Sequence, residues 1–302
     1  MKILLTGATG FIGRELLAQQ KADYLCVVRT PLKSSEECIV ADLCVDVDWS
    51  QHLDGCNAII HLAGVAHNKA KNAADFFAVN RDATIKLARD AAAAQVKRFV
   101  FVSSIGVNGT STHGEALSAD SKCDPQSDYA RSKYEAEKAL MDISKETGLE
   151  VVIVRPTLVY GLGAQGNFGL LSSLVAKLPV LPFGCASNRR DFISVQNLSD
   201  LLFCCATHPK AANQVFIAAE NETVTTRQFT DAIANGLNKK VFQLPIPVTL
   251  FRLLGKLIGK SAMIEQLFGD LEVDASALTS KLGWRAPLSM EESMANLKEN
   301  KQ

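Results

Sequence analysis

The chain has 302 residues, with 32 Lys plus Arg against 32 Asp plus Glu, 47% hydrophobic and 21% charged. That length and composition suit a folded, water-soluble protein with one sizeable core and room for a smaller lobe. A formal net charge of zero excludes a global field that recruits nucleic acid or an anionic surface, so any anion site must be local.

Met1-Lys2 leads into a short apolar strand, Ile3–Leu5, too brief for a signal-peptide core, and no apolar stretch reaches spanning length. A cytoplasmic enzyme is the expectation. Gly7, Gly10 and Gly13 follow the strand, and the residues from Phe11 to Gln20 are helix-forming. Side-chain-free positions at that spacing let a backbone turn approach a dinucleotide's pyrophosphate at a helix N-terminus. The pattern is G-x-x-G-x-x-G, a variant of the commoner G-x-G-x-x-G, and a ligand-free glycine turn is the plain alternative.

Further strands are predicted at Tyr24–Val28, Ile39–Val40, Ala58–His61, Phe99–Val102 and Val151–Arg155. Helices are predicted at Ile12–Gln20, Ala73–Ala94 and Tyr129–Thr147. This alternation predicts an α/β fold, a Rossmann-type doubly wound parallel sheet. Glycine and proline break the pattern from Gly161 to Gly184; a helix, Leu198–Thr207, and a strand, Val215–Ala218, follow. After about residue 221 come a helix (Thr226–Leu237), a proline-bracketed strand (Val241–Ile246) and further helices, read as a C-terminal substrate-binding lobe. The division is 1–158 plus about 195–220 for the dinucleotide-binding domain, and about 159–194 plus 221–302 for the lobe.

A carboxylate at the end of the second strand would hold the adenosine ribose hydroxyls and repel a 2′-phosphate. Arg29 and Thr30 stand there instead, with no acid until Glu36. A guanidinium favours a phosphate, so NADP is preferred over NAD, a solvated strand-end arginine being the alternative. Asp42 is a candidate acceptor for the adenine amino group, or a loop cap beside Asp46 and Asp48. The eight cysteines (26, 38, 44, 56, 123, 185, 204 and 205) include no C-x-x-C, and the five histidines no metal-ligand spacing, so no metal site is expected.

The chemistry lies after the fifth strand. Ser103 and Ser104 fall at the sheet edge where a nicotinamide would lie. Tyr129 and Lys133 follow at i and i+4 on one helix face. An ammonium and a cofactor's positive charge are expected to lower the phenol's pKa, so that it exchanges a proton with a substrate hydroxyl while a serine polarises the same oxygen. Tyr134 and Lys138 repeat the spacing, but roughly 140° round the helix, so only one pair can face the cofactor. Tyr129, at the helix start, is preferred, and Tyr134–Lys138 is read as a surface or packing pair.

The chain resembles the extended short-chain dehydrogenase/reductases of the nucleotide-sugar epimerase/dehydratase family. The likeness is carried by Thr6–Gly13, His61-Leu62-Ala63-Gly64, Val79-Asn80, Ser103-Ser104, Tyr129–Lys133, Arg155-Pro156 through Val159-Tyr160-Gly161, and Arg190-Asp191-Phe192-Ile193. It implies a catalytic triad of Ser104, Tyr129 and Lys133. It also implies a cofactor site of Gly7, Thr9, Gly10, Phe11, Ile12, Gly13, Arg29, Asp42, Leu43, Leu62, Ala63, Gly64, Tyr129, Lys133 and Pro156. Ser104 is favoured over Ser103 because the family's Ser/Thr lies four residues before the tyrosine of a V-Y-G; Val107-Asn108-Gly109 stands there, and Asn108 in place of the tyrosine is expected to reshape the pocket floor. The substrate side is implied to include Ser103, Ser104, Asn167 and Arg190, the last two on a sugar nucleotide's diphosphate.

Within the family, Ile105-Gly106 after Ser104 lacks the Asp-Glu pair of a 4,6-dehydratase. Arg29 favours a net reductase that releases its cofactor over an epimerase that retains NAD. The stretches Arg155–Tyr160, Gly166–Phe168 and Asn188–Leu198 resemble bacterial UDP-4-keto-6-deoxy-N-acetylhexosamine 4-reductases of surface-polysaccharide synthesis. UDP-glucose 4-epimerase-like activity is the alternative, and an NADP sensor or a small-ketone or steroid reductase is more remote. A homodimer is compatible with this reading. The apolar face of Val248–Lys260 is expected to be the core side of a lobe helix, with a membrane-surface helix as the alternative.

Overall fold

The structure, a computed structural model, describes residues 1–30, 37–43, 47–66, 72–220 and 222–298. Glu36, Cys44, Asp46 and His67, which entered the sequence reading, lie outside the described residues.

Seven strands form a wholly parallel sheet: β1 (Lys2–Thr6), β2 (Asp23–Val28), β3 (Glu37–Val40), β4 (Ala58–His61), β5 (Arg98–Val102), β6 (Glu150–Pro156) and β7 (Gln214–Ala218). Their order is β7-β6-β5-β4-β1-β2-β3, with Leu5 paired to Cys26 on one side and to Ile60 on the other. The chain direction across the sheet reverses between β1 and β4, so a crevice opens beyond their carboxyl ends, at Gly7 and Leu62. The strands read as apolar runs because both faces are covered. Ile3, Leu5 and Ile60 enter one core with Leu198, Leu201 and Leu202; Leu4, Ile59 and Phe99 enter the other with Leu87, Leu140 and Ile143.

The helices are α1 (Phe11–Gln19), α2 (Ala73–Phe77), α3 (Ala83–Ala93), α4 (Asp128–Thr147), α5 (Gly166–Lys177), α6 (Val195–Thr207), α7 (Thr226–Gly236), α8 (Val248–Leu257), α9 (Ser261–Phe268), α10 (Ser276–Leu282) and α11 (Met290–Ala295). A π-helical turn, Ala78–Asp82, joins α2 to α3 where one unbroken helix is expected from the sequence. Helix α5 arises inside the Gly161–Gly184 stretch read as irregular, and the expected Val241–Ile246 strand shrinks to Phe242–Gln243, because Pro245 carries no N–H and leaves the ladder.

A separate apolar cluster builds the lobe from Phe168, Val175, Phe183, Phe229, Ile233, Phe268, Met290 and Met294. Ala275, Leu278, Leu282 and Trp284, placed in the lobe by the sequence reading, pack instead with the sheet's core. The expectation for Val248–Lys260 also needs correction. Leu250, Leu253, Leu254, Leu257 and Ile258 are 46%, 58%, 48%, 74% and 64% exposed, whereas Val248, Phe251 and Gly255 face the lobe. The partner helix α9 has only 8 residues and covers one narrow stripe of α8. Among the described residues no helix is long and apolar enough to cross a membrane.

Candidate active site

The glycine turn is shaped by close approach. Gly7 has φ +74°, and a Cβ there would stand 2.9 Å from the Ala63 nitrogen and 3.0 Å from the Leu62 carbonyl carbon. At Gly13 a Cβ would meet the Gly7 oxygen at 2.4 Å, so α1 lies directly against the turn that precedes it. Thr9 and Gly10 are exposed at the tip, and Gly10 supplies no side chain to cap α1. The first N–H groups of α1 are thereby open to an anion, as a dinucleotide's pyrophosphate requires. Phe11 lies near Gly161, Ile12 packs on the sheet's core, and Leu62 and Ala63 form the opposite wall. Arg29 is exposed where β2 ends and forms no ion pair among the described residues. Asp42 and Leu43 follow β3, the leucine tucked on the core, and Pro156 closes β6 opposite Ala218. These residues fit a nicotinamide dinucleotide laid across the switch point.

Beyond β4, His61 fixes the wall. Its fully buried ring lies 2.8 Å from the Thr6 hydroxyl and 2.9 Å from that of Thr84, and stacks on Phe101. Burial, helped by the Lys133 charge, pushes its pKa down to about 3, so it is a neutral structural group. Asn80 sits in the π-turn and is wholly buried. Its Oδ1 accepts from Val65 N at 2.8 Å, and its Nδ2 donates to Val65 O and to Ser132 Oγ. A Cβ on Gly64 would strike Asn80 Oδ1 at 2.9 Å and approach Lys133 Nζ at 3.3 Å. Asn80 thus clamps the Gly64–Val65 loop to the helix that carries Ser132 and Lys133. The role of Asn80 is not legible from Val79-Asn80 alone, because a π-turn has no signature in residue spacing.

Helix α4 delivers Tyr129 and Lys133 to the candidate site. Ser127 caps it through the Ala130 N–H, and the helix carries Tyr129 and Lys133 towards the end of β5. Lys133 Nζ donates to Val102 O at 2.9 Å and lies 4.6 Å from the centre of the Phe101 ring. Burial brings its pKa down to about 8 while Glu137 pulls it up. Tyr129 and Ser104 are joined by a side-chain hydrogen bond, and Ser104 also accepts from Gly106 N at 3.1 Å. Burial pushes the Tyr129 phenol up to about 12, with Ser104 opposing. The protein's own groups thus raise the phenol, the Lys133 ammonium being directed at the Val102 carbonyl; the lowering expected from the sequence also draws on a bound cofactor's positive charge. Tyr134 instead receives Lys138 over its ring at 4.8 Å. Ser103 is buried, its Oγ without a hydrogen-bond partner among the described residues and its N–H bonded to Val154 O.

Asn108 does not replace the family's tyrosine in kind. Its side chain is buried, donating to Ser118 O and Ser121 O and accepting from Arg155 Nη1 at 3.1 Å. Arg155 in turn pairs with Glu137 inside the protein at 2.5 Å. The network braces the loop between Ser104 and α4. Asn167 and Arg190 are not brought into contact. Asn167 is exposed in the first turn of α5, whereas Arg190 is half-buried and its Nη1 donates to Gly269 O at 2.9 Å. Arg190 forms no ion pair among the described residues, and burial lowers its pKa with only Asp270 opposing.

Fold and site define an extended short-chain dehydrogenase/reductase enzyme. The chain belongs to the NAD dependent epimerase/dehydratase family, which matches residues 3–219. It is 39% identical over 302 residues to a UDP-glucose 4-epimerase of Vibrio cholerae, covering 96% of this chain and 92% of that one. It is 24% identical, over 97% of this chain and 92% of the relative, to the N-acetyl-alpha-D-glucosaminyl-diphospho-ditrans,octacis-undecaprenol 4-epimerase of Escherichia coli O157:H7. A UDP-glucose 4-epimerase of Thermotoga maritima, solved with UDP-glucose, superposes with a TM-score of 0.78 at 20% identity, covering 99% and 97% of the two chains. That last likeness concerns the fold.

Proposed function

We propose that this enzyme works at C4 of a nucleoside-diphosphate sugar and that its net reaction is the NADPH-dependent reduction of a UDP-linked 4-keto-6-deoxy-hexosamine. The carrying observation is the Tyr129 phenol bonded to Ser104 and kept protonated by burial, on the α4 face that also brings Lys133 to the end of β5. Such a phenol holds its proton at neutral pH, the state needed to donate to a ketone oxygen. The nicotinamide, when bound, supplies the hydride. Ser104 polarises the C4 oxygen, Lys133 holds the nicotinamide ribose, and Tyr129 delivers the proton. Gly7 to Gly13 hold the pyrophosphate, and the exposed Arg29 receives a 2′-phosphate. Arg190, a half-buried cation without a carboxylate, takes the sugar nucleotide's diphosphate, with Asn167 as a second contact.

A 4-epimerase is the second reading, favoured by the 39% identical relative. It keeps the same triad and requires NAD to stay bound. The two are separated by following NADPH oxidation with UDP-4-keto sugars alongside UDP-glucose/UDP-galactose interconversion. We expect NADPH to bind about 10-fold tighter than NADH, as one guanidinium–phosphate contact implies. Arg190→Ala should raise KM for the sugar nucleotide far more than it lowers kcat, because that contact persists from ground to transition state. Interconversion without cofactor turnover selects the epimerase. Binding of neither sugar class ends both readings.

A further inference from the structure

Helix α8 carries three separate stripes. Val248, Phe251 and Gly255 face the lobe, and a Cβ on Gly255 would stand 2.6 Å from Ile264 of α9. Leu250, Leu253, Leu254 and Leu257 form a second apolar stripe, pointing roughly 140° away from the first at 100° per residue. All four are exposed, Leu257 by 74%. Arg252 and Lys256 form the third stripe, which flanks the exposed apolar one, and Lys260 follows in the turn between α8 and α9. Ile258 just past α8 and Met263 in α9 extend the exposed apolar surface. A single leucine on a surface is ordinary, whereas an unbroken stripe bordered by cations is the pattern of a helix that lies in a lipid interface.

The charge of the region selects its partner. The chain as a whole is neutral, yet residues 232–264 contain five basic residues and no acidic one. Arg252 is paired with Glu265, which leaves Lys256 and Lys260 at the helix end for an external anion. Their aliphatic stems can lie along the leucines while the ammonium groups reach a headgroup phosphate. No helix among the described residues can span a bilayer, so the contact is peripheral.

We propose that the α8–α9 hairpin docks this enzyme on an anionic lipid bilayer, with Leu250, Leu253, Leu254 and Leu257 entering the interface and Lys256 and Lys260 meeting the headgroups. The hairpin ends at Phe268, next to the Gly269 carbonyl that holds Arg190, so docking brings the proposed diphosphate end of the cleft towards the membrane.

The test is flotation of the purified full chain with vesicles of phosphatidylcholine alone or mixed with phosphatidylglycerol, at low and high salt. Binding is expected only to the anionic vesicles and is weakened by salt. Leu253→Glu/Leu257→Glu should abolish it, and Lys256→Glu/Lys260→Glu should weaken it about tenfold or more. Both variants should keep cofactor affinity and turnover, since these side chains are exposed and outside the cleft. Failure of the native chain to float with anionic vesicles overturns the proposal whatever the variants do. So does a native dimer that the leucine variant converts to monomer without any vesicle binding, which would assign the stripe to a second copy of this chain.

Discussion

Tyr129 and Tyr134 are five positions apart on α4, and their surroundings give them different work. Tyr129 bonds Ser104, packs edge-on to Phe76 and stands on the face that carries Lys133 into the protein. Tyr134 offers its ring to the exposed Lys138. Tyr129→Phe should therefore leave folding and cofactor binding near normal and lower turnover by roughly a hundredfold or more, the share of a positioned acid. Tyr134→Phe should be nearly silent in the same assay, and the reverse pattern would place the wrong face at the cofactor. His61 sets a different kind of signature. Folded, it resists protonation until about pH 3, whereas in the unfolded chain it takes a proton near 6.5. Between those values the unfolded state binds more protons, so stability falls as pH falls, by about 1.4 kcal/mol per pH unit from this group. Urea unfolding across that window should show a shallower acid loss for His61→Gln than for the native chain, even if the variant starts less stable. Parallel slopes would show that the imidazole is not the titrating group.

At the scale of elements, the glycine turn and the parallel strands were legible because local chemistry dictates them. Strands buried on both faces read as apolar runs, and Gly7 and Gly13 mark places where the backbone tolerates no side chain. Gly13→Ala would push a methyl to 2.4 Å from the Gly7 oxygen and 2.8 Å from the Ala8 Cα, so turn and helix must separate. Dinucleotide affinity should fall about tenfold or more, with about 1–3 kcal/mol lost from the fold. Fluorescence titration and urea melts would read these, and an unchanged affinity would detach the turn from cofactor binding. Other features depend on residues far apart in sequence and could not be read from it. Helix α5 was hidden by Gly161, Gly163, Gly166 and Gly169, although Phe168, Leu171 and Val175 already carry its inward face. The Asn108–Arg155–Glu137 brace joins three elements across separations of 47 and 18 residues. The phenol's pKa is set by burial, which no spacing of Tyr and Lys encodes. The α8 pattern was visible as amphipathic, but its apolar arc is wider than the surface α9 can cover, and only the fold shows which stripe is left outside.

For the whole molecule, the coupling between sheet and lobe runs through two carboxylates, Asp191 buried and Glu220 half-buried. Glu220, just after β7, accepts from Tyr160 Oη at 2.8 Å, from Ser194 N at 2.7 Å and from Asn197 Nδ2 at 2.5 Å. Asn197 in turn clasps Leu288 through both its backbone N–H and its carbonyl, fixing the C-terminal segment. Asp191 accepts from Thr223 Oγ1 and Val273 N, each at 2.7 Å, holding the strand that begins beside Arg190. Burial raises the pKa of both acids, and their donors oppose the shift, so each anion is stabilised only while its partners stay in place. Glu220→Ala strands three donors, two of them side-chain and one backbone, and should cost about 2–4 kcal/mol, whereas Tyr160→Phe removes one bond and should cost about 1 kcal/mol. Glu220 bonds no residue of the pyrophosphate turn; the nearest link is Phe11 of α1, which approaches Gly161 beside Tyr160. Loosening the lobe should therefore raise KM for the proposed sugar-nucleotide substrate several-fold while dinucleotide affinity stays within about twofold, the pattern of lost substrate binding energy rather than lost chemistry. Thermal melts and steady-state kinetics on the two variants read this directly. Equal losses for cofactor and sugar nucleotide, or an unchanged melting temperature for Glu220→Ala, would mean that the lobe is held by its apolar core alone.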